Sequence, residues 1–166
     1  MARRETTLEA EGAEFLVLGR LLIEGIQAFK GYRKLPGYDV IATNPVTKQS
    51  CRIQVKSRWA TNYDKSLSIN NFACDFVIHV ALNRGYSFGK KGAGSDRGRK
   101  EPEFYIFPVE VVRAARRRRT TWNKVFLRHI NDNKQYLGNW QLVKQSLGFQ
   151  EKSGLGTSSW ATRLNQ

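Results

Sequence analysis

Apolar side chains recur at spacings of three and four across residues 6–30: Phe15, Leu18, Leu22, Ile26 and Phe29, with Leu16, Gly19 and Ile23 beside them. That period predicts one long amphipathic helix. Thr6 or Thr7 would cap it, Glu9 and Glu11 occupy its first turns, and Gly31 would close it. Pro36-Gly37 then marks a turn, and the pattern changes to alternation. Residues 38–43 and 51–59 read as two strands, joined by Asn44-Pro45-Val46-Thr47-Lys48-Gln49, which has hairpin-turn chemistry. Residues 75–82 form a continuous apolar run, as expected of a central strand covered on both faces.

Residues 84–103 break the pattern: Arg84, Lys90, Lys91, Arg97, Arg99 and Lys100 are interleaved with glycines, which predicts a mobile basic loop. Residues 104–107 read as a fourth strand. Pro108 then opens a helix that runs through Val111, Val112 and Ala115 into Arg116–Arg119. Lys124–Ile130 and Trp140–Leu147 read as short helices, and residues 148–166, rich in Gly, Ser and Thr, as a tail. The order is α-β-β-β-β-α with extra helices at the end. The reading is one α/β domain over residues 1–147, with its core at 10–118 and the C-terminal helices at 122–147.

Composition supports this. With 166 residues, 40% of them apolar, the chain can bury a core without disulfides. Cys51 and Cys74 belong to no Cys-x-x-Cys pair, and His79 and His129 lie far from either in sequence, which argues for reduced thiols and against zinc. No segment reaches the about 18 apolar residues of a membrane span, and the basic start of the chain runs into acids rather than a signal-peptide core. The expectation is a cytoplasmic, intracellular protein with no membrane partner.

Charge narrows the partners. The chain carries 28 Lys and Arg against 14 Asp and Glu, a net +14. The excess is uneven: +1 over residues 1–50, +7 over 51–100 and +5 over 101–150. Such a field captures polyanions, nucleic acid above all. Arg58, Lys90, Lys91, Arg97, Arg99, Lys100 and Arg116, Arg117, Arg118 and Arg119 are the candidate phosphate contacts.

Candidate chemistry lies on the two alternating strands. Asp39 stands on the first, and fifteen residues later the second carries Gln54 and Lys56. Side chains alternate along a strand, so Gln54, Lys56 and Arg58 share one face while Ile53, Val55 and Ser57 take the other. A hairpin brings Asp39 towards the polar face, and Glu14 on the preceding helix can reach the same place. Taken singly, Asp39 reads as a turn cap, Lys56 as a solvated strand lysine and Glu14 as a surface helix residue. Asp75 reads as a strand-start residue and His79 as a core histidine.

Taken together, Glu14, Pro36-Gly37-Tyr38-Asp39 and Ile53-Gln54-Val55-Lys56 resemble the PD-(D/E)XK nuclease superfamily of restriction enzymes and Holliday-junction resolvases, in particular a subgroup whose motif reads Gln-x-Lys. Asp75-Phe76-Val77-Ile78 and the Phe104–Pro108 junction fit that subgroup too. The resemblance covers roughly residues 10–115. It implies a restriction-endonuclease-like mixed sheet flanked by helices and a nuclease, of DNA by preference, that uses Mg2+ or Mn2+. It also implies a catalytic set of Asp39, Gln54, Lys56 and Glu14, with Asp39, Glu14, Gln54 and the Val55 main chain as metal ligands. Homodimers are common in the superfamily. Gln54 departs from the commonest pattern, where an acid stands. That leaves open an alternative: a nucleic-acid-binding module on the same fold whose chemistry has decayed, serving within a larger complex.

Overall fold

The computed structural model describes residues 6–31, 37–62, 66–88, 93–116 and 123–150. The architecture is α/β, with a mixed five-stranded sheet flanked by helices. Helix α1 (Thr6–Ile23) leads into β1 (Gln27–Lys30), β2 (Val40–Thr43) and β3 (Ser50–Arg58). Strands β4 (Ser66–Ser68), β5 (Phe76–Ala81), β6 (Tyr86–Phe88), β7 (Ala93–Ser95) and β8 (Glu103–Pro108) follow, then α2 (Val109–Ala115), β9 (Lys124–Phe126) and α3 (Gln141–Ser146). The main sheet runs β1-β2-β3-β5-β8. β3 and β5 are parallel, and every other neighbouring pair is antiparallel.

The sheet separates two cores. On one face Ala13, Val17 and Leu21 of α1 and Trp140, Val143 and Leu147 at α3 pack on Val40, Ala42, Ile53, Val55, Ile78 and Ile106. On the other, α2 and the small β4–β9 sheet pack on Val77, Tyr105 and Phe107. Val17 and Leu21 are fully buried, which contributes about 1.5–3 kcal/mol for each side chain. His79 is fully buried on β5, its ring centroid 6.2 Å from that of Tyr105. Among the described residues no helix is long and apolar enough to cross a membrane.

The helix expected over 6–30 stops early. Gly25 takes φ +78, its N–H donates to the Leu22 carbonyl (3.0 Å), and the Ile26 N–H donates to that of Leu21 (2.9 Å). This is a Schellman closure, sealed by the buried Leu21 and Ile26. Residues 27–30 are therefore a strand, and Gly31 does not end the helix: its N–H donates to the Asp39 carbonyl, 2.7 Å. The buried stripe of α1 is Ala13-Val17-Leu21, whereas Phe15, Leu22 and Ile23 are more than half exposed.

Three further expectations are corrected. The span 84–103 contains the β6–β7 hairpin rather than only a loop. Lys124–Ile130 is strand β9 followed by a single 3-10 turn, Leu127–His129, not a helix. Helix α2 ends at Ala115, with Arg116 as its extended C-cap. Residues 148–150 continue directly from α3, with Phe149 packed against the core. The rest of the expected tail, 151–166, lies outside the described residues, as do Pro36, Lys90, Lys91 and Arg117–Arg119.

Candidate active site at the β2–β3 entry

Strand β2 enters the sheet at Val40, and Asp39 stands just before it. The turn leading there requires a glycine: Gly37 has φ +99, and a Cβ on it would lie 3.0 Å from both the Ala73 Cβ and the Asn71 amide nitrogen. The Asp39 main chain is fixed on both sides. Its N–H donates to the Ile53 carbonyl (2.8 Å), and its own carbonyl accepts from Gly31 (2.7 Å). The carboxylate then turns to β3, where Oδ2 accepts the Val55 N–H at 2.7 Å.

That bond fixes the orientation of Val55. In a strand, N–H and C=O of one residue point to the same side, and successive residues alternate. The Arg52 and Arg58 carbonyls accept from Asp75 and Leu82 on the β5 side. Val55, of opposite parity, directs both its N–H and its carbonyl to the β2 side, where Asp39 sits.

Gln54 follows the expected alternation, opposite in face to Ile53 and Val55. Gln54 and Lys56 pair with Val77 and His79 of β5, and Val77 belongs to the core on the face away from α1. Gln54 is 8% exposed, and its Oε1 is buried with no hydrogen-bond partner. The Cys74 thiol reads the charge of this corner: burial pushes it up to about 11, Asp75 and Asp39 add to the rise, and Arg52 and Lys56 oppose it. Asp39 and Lys56 therefore lie within electrostatic reach of one buried thiol.

Glu14 comes from α1. Burial holds its carboxyl above the ordinary glutamate range, the hydrogen bond from Lys30 opposes that, and the nearby Asp39 charge raises it further. The structure thus joins Asp39 to the Val55 main chain directly and to Glu14 electrostatically, while Gln54 and Lys56 flank Val55 along β3. Among the described residues no three His, Cys, Asp or Glu side chains gather as a metal cluster.

Two residues escaped the sequence reading. The Lys30 ammonium donates to Glu11 and lies 3.2 Å from Glu14 Oε2. The sequence signal was available: Gly25 as a helix stop, followed by the alternating Gln27-Ala28-Phe29-Lys30, which packs with the burial pattern of an edge strand.

The candidate phosphate contacts disperse. Arg58 lines a cavity of about 260 Å³ with Lys56, Glu9 and Thr6. Arg97 is exposed, Arg99 pairs with Asp96 (2.8 Å) and Lys100 with Glu103 (2.5 Å). Arg116 donates to Asn123 and lies over the Phe72 ring at 5.4 Å. Asp75 accepts the Arg52 N–H (2.7 Å) and pairs with its guanidinium, the strand-entry role expected of it.

No family model matches the chain, and no curated protein does. Among solved structures, that of the bacterial homing endonuclease I-Ssp6803I is similar, with a TM-score of 0.53 and 19% sequence identity over 85% of this chain and 93% of that one. The likeness is one of fold.

Proposed function

We propose that this chain is a nuclease that hydrolyses phosphodiester bonds of nucleic acid, DNA by preference, with a divalent ion, Mg2+ or Mn2+, at a PD-(D/E)XK-type site of the Gln-x-Lys kind. The observation that carries the reading is the buried Gln54 Oε1, which has no hydrogen-bond partner, one residue along β3 from the Val55 N–H that Asp39 clamps. A buried acceptor without a partner costs about 1–3 kcal/mol. A cation at this corner would satisfy it, and hard oxygen donors suit Mg2+ and Mn2+. Asp39, Glu14, Gln54 and the Val55 carbonyl would hold the ion. When bound, it would shield the phosphate and lower the pKa of an attacking water. Lys56 shares the face of Gln54 and presents a cation to the scissile phosphate, stabilising charge that grows in the transition state. The net charge of +14 supplies capture. The fold shared with a homing endonuclease supports DNA as the polymer.

Gln54 itself favours a second reading, a binding module without catalysis, because an amide brings no charge to the ion. Purified protein incubated with duplex, branched and single-stranded DNA and with RNA, with and without Mg2+ or Mn2+, separates the two. The proposal expects metal-dependent cleavage that Lys56→Ala abolishes while binding persists, because one cation among 28 adds little to the field but acts directly on the reacting phosphate. Binding without cleavage under every condition selects the second reading. Cleavage surviving in both Lys56→Ala and Asp39→Ala places the site elsewhere.

A further inference from the structure

We propose that Lys30 is a resident counter-cation of Glu14 which an incoming divalent ion displaces onto Glu11, so that the Glu11–Lys30 pair sets the metal concentration at which the site fills. This rests on the reading of Glu14 as a metal ligand. Lys30 ends β1, paired in register with Val40, the residue next to Asp39. Its ammonium is shared between Glu11 and Glu14, one helical turn apart on α1, and it lies 4.4 Å from the centroid of the Phe15 ring. All three charged side chains are only 20–28% exposed, so their interactions are screened less than those of surface pairs.

Charge balance gives the pair its role. Without metal, Lys30 divides itself between Glu11 and Glu14, and Asp39 lies close enough to Glu14 to raise its carboxyl. A divalent ion held by Glu14 would compete with Lys30 for that carboxylate and repel the ammonium. Glu11, which already contacts Lys30, would then keep the ammonium. Since Lys30 already contacts Glu11, the handover requires only that one existing contact lengthen. Lys30 thus competes with the metal for Glu14, and Glu11 relieves that competition.

The two ends of the pair therefore have opposite effects on metal affinity. Mn2+ and Ca2+ binding to the full chain is measured by calorimetry, without nucleic acid, for wild type, Lys30→Met, Lys30→Gln and Glu11→Gln, with circular dichroism as the check on folding. Removing Lys30 is expected to tighten binding at least about threefold, and Glu11→Gln, which leaves the ammonium to Glu14 alone, to weaken it by a similar factor. A merely structural pair would lose affinity in both directions. Should Lys30→Met fail to fold, Lys30→Gln and Glu11→Gln carry the same contrast. Unchanged or weaker binding in a folded Lys30 variant, or unchanged or tighter binding in Glu11→Gln, overturns the proposal while leaving the nuclease reading in place. No Mn2+ or Ca2+ binding by wild type overturns both.

Discussion

Two aspartates flank β3 from opposite sides and make the same local bond. Asp39, just before β2, accepts the Val55 N–H at 2.7 Å, and Asp75, just before β5, accepts the Arg52 N–H at 2.7 Å. Their surroundings differ. Arg52, whose amide Asp75 holds, also meets its charge, with Nε at 3.4 Å and both side chains more than 40% open to solvent. Asp75 further ties its main chain to Arg52 and Val109. Asp39 instead has a second acid, Glu14, within electrostatic reach. One carboxylate is answered by a guanidinium, and the other is the one the proposed site would use. The difference lies in what answers the charge, not in the bond each makes to β3.

The sharpest test of that contrast is the pair of isosteric changes. Asp39→Asn keeps an oxygen for the Val55 N–H but removes the charge, so metal-dependent cleavage should fall by at least about a hundredfold, with the melting temperature little changed. Asp75→Asn should leave cleavage within a small factor of wild type and lower the melting temperature slightly. Equal losses of activity would erase the distinction. A smaller effect is expected from Gln54→Glu, which adds a charge on β3 next to Val55: Mg2+ binding by calorimetry should tighten by about tenfold, since affinity follows the charge of the ligand set. Unchanged affinity would remove Gln54 from that set. The smallest effect concerns Cys74, which feels both aspartates. Its thiol, raised to about 11 chiefly by burial, stays protonated at neutral pH, so native protein should resist alkylation that unfolded protein undergoes. Losing the Asp75 charge should ease that resistance more than losing that of Asp39.

Much of this corner was legible because strand alternation is a strong local signal. Arg52-Ile53-Gln54-Val55-Lys56 carries its faces in its own spelling, and the Asn44–Gln49 turn, with Asn44 Oδ1 accepting the Val46 and Thr47 N–H groups, fixes the hairpin. Helix α1 was misread because it is apolar around much of its girth. Phe15, Leu18 and Leu22 keep a helical period as well as Ala13, Val17 and Leu21 do, and the bulkier stripe is not the buried one. Ile26 and Phe29 fall on the same period, which hid the stop at Gly25. Lys30 and Glu11 became visible as neighbours only once β1 was known to fold back along β2. The short run Lys124-Val125-Phe126 was ambiguous for the usual reason: three residues do not distinguish a strand from a helical turn, and only the pairing with Ser66–Ser68 decides it.

The position of α3 has a consequence in time. Trp140, Val143 and Leu147 complete the core beneath α1, and the Leu147 carbonyl accepts bonds from the Asn44 amide (3.0 Å) and the Thr47 hydroxyl (2.8 Å) at the far end of the β2–β3 hairpin. On a ribosome adding about 5–20 residues per second, those side chains emerge roughly 5–20 s after Asp39. Throughout that interval the helix that carries Glu14 has an unfinished floor. The nascent chain thus holds its hairpin motif long before it can hold the complete corner, and folding of this site waits for almost the last described turn of the protein to be made.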